Sequence, residues 1–207
     1  MMKRIDYFIP TRIVFGAGRL KELATLSLPG KKALLCVTED KLMEKLGIQQ
    51  RVIELLGQNG VSVAVFDKGT PNPTRTGVMA AANHIAQLYR DTQCDSLIAA
   101  GGGSVIDTAK GVGMVLAQAG HDLLDSAGCE VLPRGKHVPF VAVPTTAGTG
   151  TEADPYAVVT NEETNEKLDF TLDEIFPAIS IIDPELMLTL PHKLTLFQGF
   201  DALFHAS

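Results

Sequence analysis

The segment SLIAAGGGSVIDTAKG joins an apolar strand pattern to a helical pattern through Gly101, Gly102, Gly103 and Ser104. Glycines let the backbone approach a ligand closely, and a helix start offers unpaired N–H groups at the positive end of its dipole. This combination suits a pyrophosphate group, although the segment is neither a Walker A loop nor a GxGxxG motif. A tight turn with a capping box formed by Ser104 and Asp107 is the alternative interpretation.

Asp107 needs a separate role if this loop binds phosphate. Its negative charge would repel a phosphate group. We therefore expect the Asp107 side chain to face a sugar hydroxyl, an amide or a water molecule.

A threonine-rich loop, VAVPTTAGTGTE (residues 141–152), follows another apolar strand pattern. Its candidate binding groups are hydroxyls among flexible glycines, from Thr145, Thr146, Thr149 and Thr151. A single segment of this kind is a turn about as often as it is a ligand site.

Two more polar segments follow strand patterns. Asn72 stands between Pro71 and Pro73, which restrict the local backbone and orient the amide, although a rigid surface turn explains the same residues. Glu39 and Asp40 follow the strand LLCV, where a carboxylate can accept both hydroxyls of an adenosine ribose. The alternative there is an N-cap for the helix that begins near residue 41.

Asp201 and His205 stand four residues apart in GFDALFHAS. Residues i and i+4 of a helix share one face, as in helical histidine pairs that bind zinc. One carboxylate with imidazole ligands and an open position suits Fe(II) or Zn(II), and such a metal would act as a Lewis acid on a substrate oxygen. An ordinary interaction along one helix face is the alternative.

The elements that position these residues alternate along the chain. Apolar runs predict buried strands, at residues 31–37, 61–66, 96–100, 137–143 and 178–183. Helical patterns lie between them, at residues 42–60, 76–93 and 105–120. This order predicts an α/β fold, a Rossmann-like parallel sheet with helices on both faces and ligands at the carboxyl ends of the strands. Residues 144–177 depart from this alternation of strands and helices, and the segment AVVTNEETNEKLDF predicts a polar hairpin.

Composition excludes several classes of protein. The net charge of −6 argues against a general nucleic-acid surface, and no apolar run is as long as a membrane span. The first residues lack the apolar stretch of a secretory signal, so we expect a cytoplasmic location. An odd number of cysteines without a CxxC pair indicates reduced thiols, at Cys36, Cys94 and Cys129.

The motifs GGGSVIDTAK, PTTAGTGTEA, IIDPELMLTLP and GFDALFHA occur in an order and spacing that resemble the N-terminal half of the iron-containing (group III) alcohol dehydrogenases. IVFGAGRLKEL and PNPT fit the same pattern, so the resemblance covers nearly the whole chain. The family is more distantly similar to dehydroquinate synthase. The resemblance implies an α/β dinucleotide-binding domain, a helical domain and an active site between them. It also implies a divalent metal, Fe(II) or Zn(II), bound by one Asp and three His.

The resemblance assigns roles to individual residues. Gly101, Gly102, Gly103 and Ser104 match the pyrophosphate loop, and Asp107 matches an acid near the nicotinamide. Other cofactor contacts match Asn72, Thr145, Thr146 and Lys167. Glu39, with Asp40 beside it, falls where NAD-preferring members carry an acid next to the ribose, so NAD is expected over NADP. Asp201 and His205 match the first two metal ligands and are the expected catalytic pair.

The resemblance also implies that residues 1–195 form the cofactor domain and that residues 196–207 begin the first helix of a helical domain absent from this chain. The family's two other metal histidines lie in that domain, and none of the remaining histidines matches them: His84, His121, His137 and His192. We therefore expect weak metal binding, or none, and little turnover by this chain alone. Thr151 also stands where Ser is usual, and Ser207 where the family continues with Glu.

Two functions follow from these observations. The first is the cofactor-binding half of an NAD-dependent alcohol dehydrogenase that acts on a small alcohol or aldehyde. The second is a stand-alone nucleotide-binding or self-assembling module, in which an uncovered apolar surface favours a homo-oligomer. No nucleic-acid or membrane partner is expected.

Overall fold

The computed structural model describes residues 6–92, 95–118, 121–129 and 138–207. A six-stranded sheet in which every pair of neighbours is parallel, in the order β1-β8-β5-β4-β2-β3, forms its centre. Its strands are β1 (Arg12–Phe15), β2 (Lys32–Thr38), β3 (Ser62–Gly69), β4 (Ser96–Gly101), β5 (Phe140–Pro144) and β8 (Ile179–Ile182). The carboxyl ends of these strands meet at one edge, where the polar loops lie together.

Five α-helices accompany the sheet in the described residues: α1 (Leu42–Lys45), α2 (Ile48–Gln58), α3 (Arg75–Thr92), α4 (Gly103–Ala117) and α5 (His192–Ala206). Short 3-10 helices connect several of these elements. Nowhere in the described ranges is a helix both long and apolar enough to cross a membrane.

Alternation along the central strands divides the apolar residues between two cores. Leu34 and Cys36 of β2 belong to the core beneath α3 and α4, whereas Leu35 and Val37 belong to the core on the opposite face, with α1 and α2. The period of two along a strand causes this separation. Both faces of the sheet are therefore covered, as the apolar strand patterns predict.

The five predicted strands and the parallel α/β arrangement are confirmed, with the strand predicted at 137–143 described from Phe140 onward. Strand β1 was not predicted, because only Val14 of this four-residue edge strand is buried. The single helix predicted over residues 42–60 is wrong. Gly47 has a φ of 70°, in the left-handed region, and separates α1 from α2. Cys94 and His137 lie outside the described residues.

The polar segment predicted as a hairpin forms two antiparallel strands, β6 (Tyr156–Asn161) and β7 (Glu166–Thr171). Arg75 at the start of α3 holds its turn: one guanidinium nitrogen lies 3.0 Å from a Glu163 oxygen, and two others donate to the Asp122 carboxylate. The hairpin is thereby attached to the sheet domain and forms a wall of the site described below.

The IIDP motif has a structural role. The fully buried Asp183 carboxylate accepts hydrogen bonds from the backbone N–H groups of Gly18 (3.0 Å), Leu20 (2.9 Å) and Glu185 (3.1 Å). One side chain therefore caps two 3-10 helices that follow neighbouring strands.

The break at Gly47 gives a first prediction. Replacing Gly47 by Ala places a Cβ in the left-handed region and should lower the free energy of unfolding by about 1 kcal/mol. The control is Gly57→Ala in α2, where the added Cβ meets no atom within 4 Å. It should raise stability by about 0.5–1 kcal/mol. Urea denaturation measures both, and equal effects would contradict the assignment of Gly47 as a helix break.

The ion pair between Arg75 and Asp122 gives a second prediction. The hydrogen bond from Arg75 holds the pKa of Asp122 below its ordinary value. A carboxyl with a lowered folded-state pKa stabilises the fold above its unfolded pKa, about 3.9. That contribution is lost as the pH falls through the folded-state pKa. Asp122→Asn should therefore destabilise the protein at pH 7, and its difference from wild type should shrink below about pH 4.

Urea denaturation at several pH values measures this difference. Asp67→Asn, at an exposed position on β3, is the control and should show a smaller effect at pH 7. A loss in Asp122→Asn that stays constant down to pH 3 would rule out the charge as its cause.

Candidate functional site

Two cavities open at the carboxyl edge of the sheet, on either side of the start of α4. The first, of about 400 Å³, is lined by Asn72, Pro73, Gly103, Ser104, Asp107, Thr149, Thr151, Asp154, Tyr156, Val158, Thr160, Lys167, Asp169 and His205. The second, of about 660 Å³, is lined by Thr38, Asp40, Pro71, Gly102, Gly103, Ser104, Val105, Thr146, Ala147, Thr149, Leu194, Phe197, Gln198 and Asp201. Gly103, Ser104 and Thr149 border both, so the glycine loop lies between them.

The glycine loop is packed closely against the threonine-rich loop. A Cβ on Gly102 would lie 3.0 Å from the Thr146 hydroxyl oxygen, and one on Gly103 would lie 3.1 Å from that of Thr149. The two loops can therefore pack this closely only because Gly102 and Gly103 carry no side chains. The part of the loop suited to a pyrophosphate is the set of backbone N–H groups at the start of α4.

The capping box considered for Ser104 and Asp107 does not form. Gly102 is the N-cap of α4 and makes no side-chain capping hydrogen bond. The Ser104 hydroxyl instead accepts a bond from the Asn72 N–H at 3.3 Å. The Asp107 carboxylate instead bonds to Val158 of the hairpin. The N-terminal N–H groups of α4, at the positive end of the helix dipole, therefore have no side-chain cap and can face an anion.

Asp107 belongs to a hydrogen-bonded cluster in the wall of the first cavity. One carboxylate oxygen accepts the Thr151 hydroxyl at 2.6 Å, and the other accepts the Val158 N–H at 3.4 Å. The same Thr151 oxygen accepts a bond from Lys110 at 2.9 Å, and Lys110 also lies 2.8 Å from an Asp154 carboxylate oxygen. The cluster ties α4 to the loop before the hairpin.

Burial changes the acidity of this cluster. It raises the pKa of the Asp107 carboxyl, against the opposing effects of the Thr151 hydrogen bond and the Lys110 charge. It also raises the pKa of Glu152. Burial lowers the pKa of the Lys110 ammonium, an effect that the Asp154 carboxylate opposes. All three directions follow from the cost of enclosing a charge in a medium of low dielectric.

Two predicted cofactor residues, Asn72 and Lys167, line the first cavity. Asn72 has a φ of 52° and is exposed between its two prolines, and Lys167 lies on β7 of the hairpin. Both line the cavity together with Ser104 and Asp107. The structure therefore brings together residues that are up to 95 positions apart in the sequence, from Asn72 to Lys167.

The two predicted ribose acids differ in position. The Asp40 carboxylate lines the second cavity and accepts bonds from the Thr38 hydroxyl (2.6 Å) and the Leu42 N–H (2.9 Å). Both hydrogen bonds lower the pKa of Asp40, and the bond from Thr38 has the largest effect. Asp40 therefore satisfies the first N–H group of α1 from the residue before the N-cap, which is Lys41, and also reaches the cavity. Glu39 is exposed beside it and lines neither of the two cavities.

The predicted threonines also differ. Thr145 is buried, and its N–H donates to the carbonyl of Gly101 at 2.9 Å, so it joins the two loops and lines neither cavity. Thr146 lines the second cavity, and Thr149 lines both. Thr151 lines the first cavity, with its hydroxyl bonded to Lys110 and Asp107.

Asp201 and His205 lie on one face of α5, with a carboxylate oxygen 3.6 Å from the imidazole Nε2 atom. Both side chains are partly exposed, and each lines one of the two cavities. Nowhere in the described residues do three His, Cys, Asp or Glu side chains form a cluster able to hold a metal ion. The pair alone therefore does not complete a catalytic metal site, which needs three protein ligands and an open position.

Sequence reasoning missed the roles of Lys110, Asp154 and Tyr156. A lone lysine in a helical pattern is usually solvated, which concealed Lys110. Its position three residues after Asp107, among the buried residues of α4, was the available signal. Nothing in the local sequence around Asp154 and Tyr156 indicated that they face the cavity.

Known proteins resemble this chain over nearly its full length. Residues 10–184 match the family described as iron-containing alcohol dehydrogenase. The chain is 38% identical over 202 residues to the NAD-dependent methanol dehydrogenase of Bacillus methanolicus, covering 97% of this chain and 51% of that protein. It is 37% identical over 206 residues to the 1,3-propanediol dehydrogenase of Klebsiella pneumoniae, covering 99% and 52%.

Solved structures agree with these sequence matches. The crystal structure of sulfoacetaldehyde reductase from Bifidobacterium kashiwanohense in complex with NAD⁺ superposes with a TM-score of 0.83 at 33% identity. That match covers 97% of this chain and 51% of the reductase. The chain thus spans about half the length of the relatives it matches.

The contact between α5 and the threonine-rich loop gives a third prediction. Gly148 has a φ of 111°, and a Cβ there would lie 2.7 Å from an Asp201 carboxylate oxygen. Gly148→Ala should therefore displace α5 and weaken the bond from the Ala147 N–H to the Gln198 side chain. The free energy of unfolding should fall by at least about 1 kcal/mol more than in the control variant.

The matched control is Gly150→Ala, because Gly150 has a φ of 69° and an added Cβ there meets nothing within 4 Å. It carries the backbone penalty without the contact. Urea denaturation and hydrogen exchange of the Ala147 amide measure the difference. Equal stability losses and equal exchange rates would show that α5 does not rest on this loop.

Proposed function

This chain belongs to the iron-containing alcohol dehydrogenase family, and from that premise we propose that it is the NAD-binding half of a dehydrogenase that interconverts an alcohol and its aldehyde or ketone. The observation that carries the proposal is the uncapped glycine-loop helix between two cavities. A dinucleotide has two nucleoside halves joined by a pyrophosphate, and the loop with a cavity on each side matches that division.

In this proposal the pyrophosphate lies at the start of α4, against the backbone N–H groups of Gly102, Gly103 and Ser104. The adenosine half takes the second cavity, beside Thr146 and Asp40, and the nicotinamide half takes the first, beside Asp107 and Lys167. When bound, the nicotinamide supplies the hydride acceptor. The protein's own groups orient it, and Asp107, held by Thr151 and the Val158 N–H, is a fixed acceptor for an amide or hydroxyl.

The acids at the end of β2 support NAD over NADP. Hydrogen bonds lower the pKa of Asp40, which keeps this carboxylate charged at neutral pH, and Glu39 adds a second charge beside it. A 2′-phosphate in the second cavity would approach these charges and be repelled. The ribose hydroxyls of NAD would instead donate to them.

The two proposed metal ligands of this chain do not by themselves make a catalytic metal site. Asp201 and His205 have the residue types and helical spacing of metal ligands, but a catalytic ion needs at least one more protein ligand. We therefore propose that Fe(II) or Zn(II) binds this chain weakly and that the chain alone has little dehydrogenase activity. A steady oxidation rate with small primary alcohols, NAD and Fe(II) would contradict this expectation.

A homo-oligomer is the partner we propose in addition to the alcohol or aldehyde substrate. Helix α5 has no buried residue, and its exposed apolar side chains include Leu196, Phe200, Leu203 and Phe204. An uncovered apolar surface of this kind favours association. The same surface supports the second candidate, a nucleotide-binding module that self-assembles without catalysis.

Ligand stabilisation gives the fourth prediction. NAD at about 100 times its dissociation constant should raise the midpoint of thermal unfolding by about 5–10 °C, and NADP should raise it less at equal concentration. Gly103→Ala should abolish most of the NAD shift, because its Cβ would lie 3.1 Å from the Thr149 hydroxyl oxygen and would push apart the two loops that border the cavities. The double variant Glu39→Gln/Asp40→Asn should narrow the difference between NAD and NADP.

The control for Gly103→Ala is Gly57→Ala, whose helix lies on a different part of the sheet. It should keep the full NAD shift. Absence of a shift with either nucleotide in the wild-type chain would overturn the proposed cofactor site.

A further inference from the structure

Lys110 is a fully enclosed lysine whose ammonium group is satisfied by several neighbours at once. Its Nζ atom lies close to four acceptor oxygens, which share its three N–H donors: the Thr151 hydroxyl (2.9 Å), an Asp154 carboxylate oxygen (2.8 Å), the Asp154 carbonyl (3.0 Å) and the Tyr156 carbonyl (2.6 Å). Enclosing a charge is unfavourable unless hydrogen bonds and opposite charges compensate for it. These contacts therefore fix Lys110 and the loop around it as one unit.

The partners of Lys110 are themselves part of the first cavity. Thr151, Asp154 and Tyr156 all line it, whereas Lys110 lines neither cavity and is out of reach of a ligand. An apolar side chain at position 110 would fill the same space but would leave these oxygen atoms without their donor. The ammonium thus acts on the cavity through the groups that surround it.

Thr151 transmits this effect to Asp107. An ammonium group can only donate hydrogen bonds, so the Thr151 oxygen must be the acceptor in its contact with Lys110. A hydroxyl has a single proton, and Thr151 directs it to the Asp107 carboxylate at 2.6 Å. Lys110 consequently determines which way the hydroxyl points and holds one oxygen of Asp107.

The charges around Lys110 support the same conclusion. Three carboxyl groups influence the ammonium: that of Asp107 one turn earlier on α4, and those of Glu152 and Asp154 on the following loop. Without the ammonium, these carboxylates would repel one another in a partly buried site. Asp107 would then be free to turn away from the cavity wall.

We propose that Lys110 is a positioning residue of the nucleotide site, which acts through the Thr151 hydroxyl to hold Asp107 against the nicotinamide half of the cofactor. This inference rests on the proposed NAD-binding function and adds to it a residue that touches no ligand. The proposed role concerns only the nicotinamide half of the site. Loss of Lys110 should weaken binding of the nicotinamide half and leave the adenosine half unchanged.

The test is a double-mutant cycle of Lys110→Met and Thr151→Val in the full chain, with the dissociation constants of NADH and ADP as readouts. ADP carries the adenosine and pyrophosphate without the nicotinamide. Each single variant should weaken NADH binding about ten-fold or more, the size expected when a hydrogen bond to a charged group is lost. ADP binding should change less than about two-fold, and the double variant should be no weaker than Lys110→Met, because both changes break one connection.

Two further variants complete the design. Thr151→Ser keeps the hydroxyl and should restore NADH binding and the fluorescence of the bound nicotinamide to nearly wild-type values. Lys68→Met, at an exposed position on β3, is the control for loss of a lysine and should bind both ligands normally. If Lys110→Met does not fold, Lys110→Arg takes its place, since a planar guanidinium cannot reproduce the same contacts.

The outcomes distinguish this inference from the function on which it rests. A wild-type chain that binds neither ligand overturns both. A wild-type chain that binds both, with variants that bind NADH equally well, overturns the positioning role alone. Equal weakening of NADH and ADP would assign Lys110 a purely structural role, and additive losses in the double variant would show that it does not act through Thr151. Each of these results overturns the inference.

Discussion

The cost of enclosing one positive charge determines the geometry of the candidate site. Lys110 can remain charged inside the protein only where acceptors surround it, and the acceptors come from a loop 41 to 46 residues further along the chain. Small displacements of that loop would leave the ammonium or its acceptors unsatisfied. The loop, and the hairpin that begins with Tyr156, therefore have one favourable position relative to α4, and the cavity wall is fixed with them.

The parallel sheet provides the rigid part of the same site. Strands β2, β4 and β5 are buried on both faces, so their carboxyl ends are held by two separate cores. The glycine loop and the threonine-rich loop leave adjacent strands, and the hydrogen bond from the Thr145 N–H to the Gly101 carbonyl joins them at their origin. Mobile surface loops would not give such a fixed spacing. Here two short loops are anchored at both the strand end and the helix start.

The sequence predicted most features that depend on local periodicity and few that depend on distant contacts. Every strand of the sheet except β1, together with α3, α4 and the hairpin, followed from apolar spacing and turn residues. The capping box failed because Asp107 has better partners in Thr151 and Val158, which are more than 40 residues away. Lys110 was missed for the same reason, since its acceptors cannot be identified without the fold. The break at Gly47 was local, but a glycine inside a helical pattern does not reveal its own φ.

Helix α5 carries the two proposed metal ligands with little support from packing. A helix of 15 residues is marginal in water without tertiary contacts, and no residue of α5 is buried. Its described attachments are few, chiefly the bond from the Ala147 N–H to Gln198 and the close approach of Asp201 to Gly148. The 3.6 Å separation of Asp201 and His205 therefore depends on a helix that gains little from burial. A neighbour that covers the apolar side chains of α5 would also hold Asp201 and His205, the proposed ligand pair, in place. A metal bound by the pair would in turn favour contact with that neighbour, because two events that order the same helix promote each other.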